Sequence, residues 1–360
     1  ARALNVRNVL AIMSRSRSPR SQVKLEVVNP RPQSSKLVYG ASSLGCLYEE
    51  ISEEQSIACV AKALELGIRY FDTAPWYGAG LSETRLGKAL YGRTDVSIST
   101  KCGRIIKPLK EITLDDKVEK GYAGSDGGQF FTDKFHMNRP CWDYTENGTL
   151  ESLRQSCERL GVDHIHSLRL HDAEDDERFA QATSPGGACD TMIRLKKEGK
   201  VKEISLGMNK HDYILRYLQK YPGEFDSVML AGCFNLIDND SYELLVECQK
   251  QGVSVTNVGV FASGLLWGGS HYKYDNAIPD VVKDKVAKWS ALALKHNLSL
   301  PLVALNFAFL PKVVEMVAFG ANRADQVEAN LALLDKVVPV ELWVEAKELG
   351  LIHESIPIPS

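Results

Sequence analysis

The sequence lacks several features that would place its 360 residues in common functional classes. No apolar run reaches the length of about 18 residues that a membrane-spanning helix needs, so none is predicted. No Cys-x-x-Cys pair and no cysteine–histidine cluster at zinc spacing occurs, so no metal site is predicted. The net charge of −3 argues against a general nucleic-acid-binding protein. With 44% hydrophobic and 25% charged residues, the composition is that of an ordinary globular protein.

Eight cysteines are present, but their surroundings predict thiols rather than disulfides. Free cysteine behaves as a small buried hydrophobe, and four of the eight fall inside apolar-patterned segments. These are Cys46, Cys59, Cys157 and Cys248. Reduced thiols persist in reducing compartments, so the sequence favours such a compartment.

The first 25 residues are basic and serine-rich, with no acidic residue before Glu26. This composition is typical of an organelle transit segment, which predicts a mitochondrial or other organellar protein, with the cytoplasm as second choice. A disordered tail without function is the alternative. Such a segment has too little apolar surface to order itself. We therefore expect residues 1–33 to form an arm that docks on a protein partner in an organellar assembly, and residues 34–360 to form the folded domain.

Eight short, apolar, β-prone runs alternate with helical segments along that domain. The runs are Leu37–Ala41, Ile68–Thr73, Val96–Thr100, Ile165–Leu170, Ile204–Met208, Ser227–Ala231, Val253–Val258 and Met316–Gly320. The helical segments are 52–66, which opens with a Ser52/Gln55 capping box, and 82–90, 147–160, 190–198, 241–251 and 325–335. This alternation predicts an α/β fold, a single (β/α)8 TIM barrel. A doubly wound open sheet is the alternative, which is disfavoured because no Gly-x-Gly-x-x-Gly follows an early run.

Two connections are much longer than the others. Residues 104–142 follow the third run and residues 260–279 follow the seventh. In a barrel both leave the face at which the strands end, where long loops shape a pocket. A surface insertion is the alternative for residues 104–142.

Four chemically active side chains stand at or just beyond the ends of three successive runs: Asp72, Tyr77, Lys101 and His171. A free tyrosine, with a pKa of about 10, exchanges protons poorly at neutral pH. A lysine ammonium within about 4–6 Å would stabilise the phenolate and lower that pKa. Asp72 can hold Lys101 in place, and His171 can orient the reacting oxygen. The set predicts a site at which Tyr77 moves a proton while a hydride moves elsewhere.

This order, with a Tyr five residues after an Asp and then a Lys and a His at the next two run ends, resembles the aldo-keto reductase superfamily. The resemblance covers roughly residues 37–353. Further segments resemble its D-threo-aldose 1-dehydrogenase branch, which includes L-fucose- and L-galactose-type dehydrogenases. They are Phe-Asp-Thr-Ala-Pro-Trp-Tyr-Gly from Phe71, Trp-Asp-Tyr-Thr from Trp142, Leu-Gly-Met-Asn from Leu206 and Gly-Val-Phe-Ala-Ser-Gly-Leu-Leu from Gly259.

The resemblance implies a barrel that binds NAD, with NADP possible, without a Rossmann domain. It implies that Asn209 holds the nicotinamide carboxamide and that backbone N–H groups of three residues wrap the pyrophosphate. These are Ser263, Gly264 and Leu265. The adenosine end would bind at the start of the last barrel helix, through Asn322, Arg323, Gln326 and Asn330. Trp76 and Trp142 are the candidate sugar-stacking residues.

Several positions depart from the family pattern. Ala329 stands where many relatives have Glu, and Cys233-Phe234-Asn235 replaces an expected Arg/Tyr pattern. His166 and Arg169 lie in the run before His171, where relatives are mostly aliphatic. An arginine inside a barrel strand must reach a polar partner or solvent, because burying it alone is costly.

By resemblance, the expected activity is oxidation of an aldose at C1 to the aldonolactone, or reduction of a related carbonyl, with Tyr77 as general acid or base. The expected partner is therefore a small sugar or carbonyl substrate. The alternative is a non-catalytic or redox-sensing subunit of a mitochondrial or other organellar complex that retains the barrel.

Overall fold

Eight parallel strands close into a barrel in the computed structural model, which describes residues 23–120, 131, 137–273 and 275–360. Each strand pairs with the next along the chain, and the last pairs with the first. In chain order they are β1 to β8: Leu37–Gly40, Tyr70–Asp72, Ser97–Cys102, Ile165–His171, Val201–Met208, Ser227–Ala231, Ser254–Val258 and Val314–Gly320. The predicted TIM barrel is confirmed, and all eight predicted runs are strands.

Helices surround the barrel. Within the described ranges they are α1 to α11: Glu53–Glu65, Leu81–Ala89, Glu146–Leu160, Asp176–Ala182, Ala188–Lys197, His211–Lys220, Tyr242–Gln251, Asp280–Lys295, Leu300–Ala308, Ala324–Ala332 and Val340–Glu348. Helix α1 begins with the predicted capping box, in which Ser52 accepts from the Gln55 N–H. Five of these helices were not predicted from the sequence: α4, α6, α8, α9 and α11. Three of these, α6, α8 and α11, lack the usual start signal, because their N-cap residues make no side-chain cap hydrogen bond. The N-cap residues are Lys210, Pro279 and Pro339. No helix within the described ranges is long and apolar enough to cross a membrane.

The two faces of the barrel strands differ in chemistry. Outward-facing residues such as Phe71, Leu168 and Leu206 are fully buried in the apolar layer beneath the helices. Inward-facing positions alternate with them along the pleat, and those of β2 to β4 carry polar groups, among them Asp72 and Lys101. The apolar layer therefore holds the fold together, while the barrel interior is free to carry chemistry.

Both long connections leave the barrel where predicted. After β3, Arg104–Pro108 pairs antiparallel with Asn138–Trp142 as a hairpin. Residues 121–130 and 132–136 of this connection lie outside the described residues. After β7, a short 3-10 turn, Leu265–Trp267, precedes a bridge between Tyr272 and Asp275.

The described part of the N-terminal arm, residues 23–33, contacts the face at which the strands begin. The Val28 N–H donates to the Leu310 carbonyl at 2.9 Å, the Lys312 N–H donates to the Glu26 carbonyl at 2.9 Å, and Leu25 is buried. Residues 1–22 lie outside the described residues, so the arm's docking role and the boundary at residue 33 remain predictions.

All eight cysteines are free thiols. Cys46, Cys59 and Cys248 are buried as expected, whereas Cys157 is half-buried. The compartment inferred from them remains a prediction.

A close backbone contact joins the loop after β1 to the turn that carries Tyr77. A Cβ atom on Gly45 would lie 2.5 Å from the Tyr77 carbonyl carbon and 2.7 Å from the Gly78 nitrogen. No side chain fits there unless the two segments separate. The absence of a side chain at Gly45 therefore helps to set the position of Tyr77.

We expect Gly45→Ala to destabilise the protein by about 3 kcal/mol, because the added methyl group meets rigid backbone rather than a movable side chain. The matched control is Gly92→Ala, where φ is 75° but a Cβ meets nothing within 4 Å. Its cost should be only about 1 kcal/mol of backbone strain. Urea unfolding measures both, and equal losses would contradict the packing argument.

Candidate active site

The ends of β2, β3 and β4 bring the four predicted side chains together. The Lys101 Nζ donates to Asp72 Oδ2 at 2.5 Å, to the Thr73 carbonyl at 2.8 Å and to Tyr77 Oη at 3.0 Å. The Tyr77 and His171 rings meet edge to face, with centroids 5.9 Å apart. Asp72, Lys101 and His171 are each 5% exposed or less. The arrangement is a buried ion pair that presents an ammonium to a phenol.

The four residues line a cavity of about 120 Å³ at the mouth of the barrel. Trp76 forms one side of it, with its ring 6.1 Å from that of His171. Gly40, Gly207 and Gly320 also line it. These glycines leave space beside the catalytic candidates, since a Cβ on Gly207 would come within 3.7 Å of Lys101.

A larger, open groove of about 480 Å³ lies outside the barrel, between α2, α3 and the hairpin. None of the predicted site residues lines it, and its arginines, Arg154 and Arg159, are paired with glutamates. The smaller cavity, which the four predicted residues line, is therefore the candidate active site.

Burial and charge set the ionisation of the site. Burial pushes the pKa of Asp72 upward, but the Lys101 and Arg169 cations outweigh it and hold that pKa below its ordinary value. Burial lowers the pKa of Lys101, against the effect of Asp72. The 2.5 Å contact, supported by further hydrogen bonds to both groups, is that of an ionised pair. Burial also lowers the pKa of His171 well below its ordinary value, so this imidazole is neutral.

Tyr77 departs from the sequence-based expectation. Burial raises its pKa well above the ordinary value, and the carboxylates of Asp72 and Asp172 raise it further. The expectation of a lowered pKa considered the lysine alone. In the structure Asp72 offsets the charge of Lys101, and the enclosed cavity disfavours a phenolate. At neutral pH Tyr77 is therefore a protonated phenol.

A second polar cluster, which the sequence analysis did not identify, borders the cavity. Asp172 adopts a left-handed backbone conformation, with φ of 46°, and its Oδ2 accepts from Arg104 Nη2 at 3.1 Å. Asn209 Nδ2 donates to Asp172 Oδ1 at 3.3 Å, and its N–H donates to Glu174 at 2.7 Å. In the sequence, this cluster could have been recognised from Asp172 and Glu174, two acidic residues that closely follow His171. This cluster sets the position of Asn209.

The predicted cofactor residues fall into three groups. Asn209 lines the cavity. In the turn after β7, Ser263 hydrogen-bonds to Tyr48, whereas the N–H groups of Gly264 and Leu265 donate to carbonyls within the turn, at 3.0 and 3.1 Å. Those two N–H groups are thus already engaged, and their pyrophosphate role remains a prediction.

The third group lies at the start of α10. The Asn322 N–H donates to Gln326 Oε1 at 3.0 Å, and Arg323 forms a two-point ion pair with Asp325. Asn330 is buried. The Asn322 amide also donates to Glu49, from the loop after β1.

The structure fits a nicotinamide cofactor. The glycine-lined cavity offers an open surface next to Tyr77 for a planar ring, with the Asn209 amide at its edge. Toward α10, the Asn322 Oδ1 atom is buried and has no hydrogen-bond partner among the described residues, so it can accept a ligand donor. Gly264 adds a stretch of backbone where a Cβ would meet open space.

Trp142 is not brought to the cavity. It lies on the hairpin opposite Arg104, with the Arg178 guanidinium 5.2 Å from its ring centroid. Its proposed contact with substrate has no support in this arrangement, whereas Trp76 lines the cavity as expected.

Comparison with known proteins identifies the family. The sequence profile of the Aldo/keto reductase family matches residues 36–349. The chain belongs to this family. It is accordingly an oxidoreductase that uses a nicotinamide cofactor.

Among the relatives of this aldo-keto reductase is the D-threo-aldose 1-dehydrogenase of Pseudomonas sp, with 32% identity over 324 residues, which cover 88% of this chain and 94% of that protein. The L-galactose dehydrogenase of Arabidopsis thaliana is 27% identical over 331 residues, covering 89% of this chain and 88% of that one.

Two solved structures share the fold. The glycerol dehydrogenase of Gluconobacter oxydans superposes with a TM-score of 0.67 at 18% identity, covering 94% of this chain and 98% of that one. The holo form of an aldo-keto reductase from Bacillus halodurans superposes with a TM-score of 0.64 at 24% identity, covering 92% and 98%. At these identities the likeness shows the fold.

The second polar cluster predicts a pH-dependent stability. Burial, reinforced by Asp172, raises the pKa of Glu174 from 4.5 to about 7. In this range the folded aldo-keto reductase holds a proton that the unfolded chain has released, so stability falls as the pH rises toward 7. The Glu174→Gln variant does not lose stability in this way, and its side-chain oxygen can still accept the hydrogen bond from the Asn209 N–H. We expect the variant to gain on the order of 2 kcal/mol over the wild type between about pH 5 and pH 8.

Urea unfolding at both pH values measures this difference. The matched control is Glu177→Gln, the same substitution at a glutamate whose side chain is 68% exposed. A constant difference between Glu174→Gln and wild type across the range would contradict the assignment.

Proposed function

We propose that this aldo-keto reductase oxidises the C1 hydroxyl of an aldose to an aldonolactone, using NAD. The observation that carries the proposal is the Tyr77 hydroxyl, held 3.0 Å from Lys101 Nζ beside His171 in a cavity that fits a nicotinamide. The names of two relatives, D-threo-aldose 1-dehydrogenase and L-galactose dehydrogenase, support a sugar as substrate.

In this proposal each polar side chain has a separate task. The C1 oxygen of the sugar lies between Tyr77 and neutral His171, which orients it. When bound, the nicotinamide supplies the hydride acceptor in oxidation and the hydride donor in reduction. Tyr77 takes the hydroxyl proton in oxidation and gives a proton in reduction. Because the pKa of Tyr77 is raised, its phenol is protonated at neutral pH and can act directly as the acid in reduction. To act as the base in oxidation, the phenol must first lose its own proton.

The walls of the cavity give the substrate an apolar side. Trp76 packs edge to face on Phe131, at 5.3 Å between centroids, and both line the cavity. A sugar ring offers C–H groups that pack against such aromatic faces. We therefore assign sugar stacking to Trp76 rather than to Trp142.

Tyr77→Phe tests the chemistry. We expect kcat to fall about 10²–10⁴-fold, because the variant loses the proton-transferring group, while NADH binding remains. Turnover is assayed with NAD and L-galactose, L-fucose or D-arabinose, and NADH binding by fluorescence titration. The control is Tyr91→Phe, whose ring is 89% exposed, and it should match the wild type. Undiminished turnover by Tyr77→Phe would refute the assigned role.

Cofactor preference is assigned to the carboxylates near the adenosine-binding residues. Asp325 pairs with Arg323 at 3.0 and 3.3 Å, and Glu49 contacts Asn322. A guanidinium can bind a 2′-phosphate, but here it is engaged by one carboxylate and has a second nearby. Both charges repel the additional phosphate of NADP, which supports NAD.

We expect Asp325→Asn to tighten NADPH binding by about tenfold, the contribution of one charge-assisted hydrogen bond, and to leave NADH binding unchanged. Fluorescence titration with both cofactors measures this. Asp280→Asn on α8 is the control, since Asp280 is also an exposed acid in an ion pair. Equal effects of Asp325→Asn on NADH and NADPH would contradict the assignment.

The alternative role, as a non-catalytic or redox-sensing organellar subunit, rests on the N-terminal arm, most of which lies outside the described residues. Organellar localisation rests on the same arm. The assays above separate the roles: cofactor binding without turnover of any sugar or carbonyl favours a redox-sensing subunit, and no cofactor binding favours a non-catalytic one.

A further inference from the structure

Arg169 lies at the centre of the barrel, in the middle of β4. Its side chain is 1% exposed, which is unusual for an arginine. The neighbouring inward positions on three strands are the small residues Ser99, Ser205 and Ser227. They leave the volume that the guanidinium fills. Arg169 Nη1 donates to Ser205 Oγ at 2.6 Å and to Ser227 Oγ at 3.5 Å.

The guanidinium and Lys101 bind different oxygens of the same carboxylate. Arg169 Nε donates to Asp72 Oδ1 at 3.1 Å, where Ser99 Oγ also donates at 2.6 Å. Lys101 Nζ donates to Asp72 Oδ2 at 2.5 Å. The Arg169 Nη1 atom is in turn held by Ser205 Oγ at 2.6 Å. The Asp72 carboxylate therefore cannot rotate without breaking a bond at one oxygen or the other.

Arg169 also changes the charge beneath Tyr77. Asp72 and Lys101 alone would sum to zero, so the phenol would face a neutral pair. With Arg169 the three buried groups sum to one positive charge.

The other charged groups that face this cluster do not cancel it. Asp172 is paired with Arg104, which also contacts Glu119, and Glu119 is paired with Arg178, so these four charges sum to zero. His171 is neutral.

Burial raises the pKa of Tyr70, whose hydroxyl accepts from Arg169 Nη2 at 3.4 Å, so this phenol is neutral as well. Glu203 on β5 faces Arg169 from the opposite end of the barrel and contacts His166 at 3.5 Å. Its side chain is 34% exposed and screened by water, so it acts weakly on the phenol.

We propose that Arg169 is a positioning residue for the reaction at Tyr77: it locks Asp72 so that Lys101 points at the phenol, and its charge compensates that of Asp72. This inference rests on the proposed function, because it assigns Arg169 a role through Tyr77. Arg169 contacts neither the cavity nor a substrate, so it acts only through its neighbours.

The test compares Arg169→Met, which removes the charge, with Arg169→Lys, which keeps it. In Arg169→Met we expect kcat for sugar oxidation at pH 7 to fall about tenfold or more, with KM for the sugar nearly unchanged. The acidic limb of the kcat profile should move about one pH unit or more toward alkaline pH, because the phenol ionises less readily. Arg169→Lys should recover most of the rate and the wild-type profile. The control for loss of an arginine from an ion pair is Arg159→Met: Arg159 is half-buried, and its buried partner Glu83 lies on α2, outside the barrel.

Two outcomes would overturn the proposal. One is a pH profile in Arg169→Met that matches the wild type. The other is equal impairment of Arg169→Lys and Arg169→Met with unshifted profiles, which indicates a packing role. If Arg169→Met does not fold, Ser205→Ala is the substitute, since it removes the 2.6 Å partner that holds the guanidinium. A smaller shift in the same direction is then expected, and an unshifted profile refutes the role.

A second measurement does not depend on turnover. Protein labelled with 3-fluorotyrosine, whose phenol ionises at lower pH, is titrated by ¹⁹F NMR, and Tyr77→Phe identifies the Tyr77 signal. We expect Tyr77 to ionise at higher pH in Arg169→Met than in wild type or Arg169→Lys. A wild type that turns over no sugar or carbonyl would defeat the proposed function, whereas an unchanged Tyr77 titration in Arg169→Met would defeat the role of Arg169.

Discussion

The buried Asp72–Lys101 ion pair is the interaction on which the rest of the site depends. Two charges withdrawn from water are tolerated only if they are paired and their remaining hydrogen-bonding capacity is satisfied. Here Thr73 and Tyr77 accept from the ammonium, and Ser99 and Arg169 donate to the carboxylate. The need to satisfy these charges explains why the inward face of β2, β3 and β4 is polar, although the layer beneath the helices is apolar.

The same pair explains the behaviour of Tyr77. A carboxylate that fixes a lysine also offsets its charge, so proximity to an ammonium is not enough to lower the pKa of a phenol. In this barrel the burial of Tyr77 and the nearby carboxylates outweigh the cations. The pKa of Tyr77 therefore depends on every charge within the enclosed site, including the Asp172–Arg104 pair at its edge.

The predicted cofactor-binding residues lie beyond the strands, on loops and at the start of α10. Tyr48, in the loop after β1, stacks on His271 at 4.6 Å between centroids, and Glu49 reaches Asn322. The loops after β1, β7 and β8 are thus tied together on the face that carries Tyr77. The tetrad lies at the strand ends, whereas the residues that we propose to distinguish one cofactor from another lie on the loop after β1 and at the start of α10.

The barrel followed from the amino-acid pattern alone, since eight β-prone runs alternating with helical segments permit few other folds, and strand ends in such a barrel share one face. That was enough to bring Asp72, Tyr77, Lys101 and His171 together. The sequence did not predict that Trp142 packs on Arg178, away from the cavity. It also did not predict the contacts that Arg169, Asp172 and Glu174 make. Helices without a capping signal, such as α6 and α8, were missed for lack of a local pattern. Which groups share the buried interior, and therefore the direction of each pKa shift, could be read only from the folded protein. Burial and the sum of neighbouring charges are properties of the folded arrangement and not of any segment.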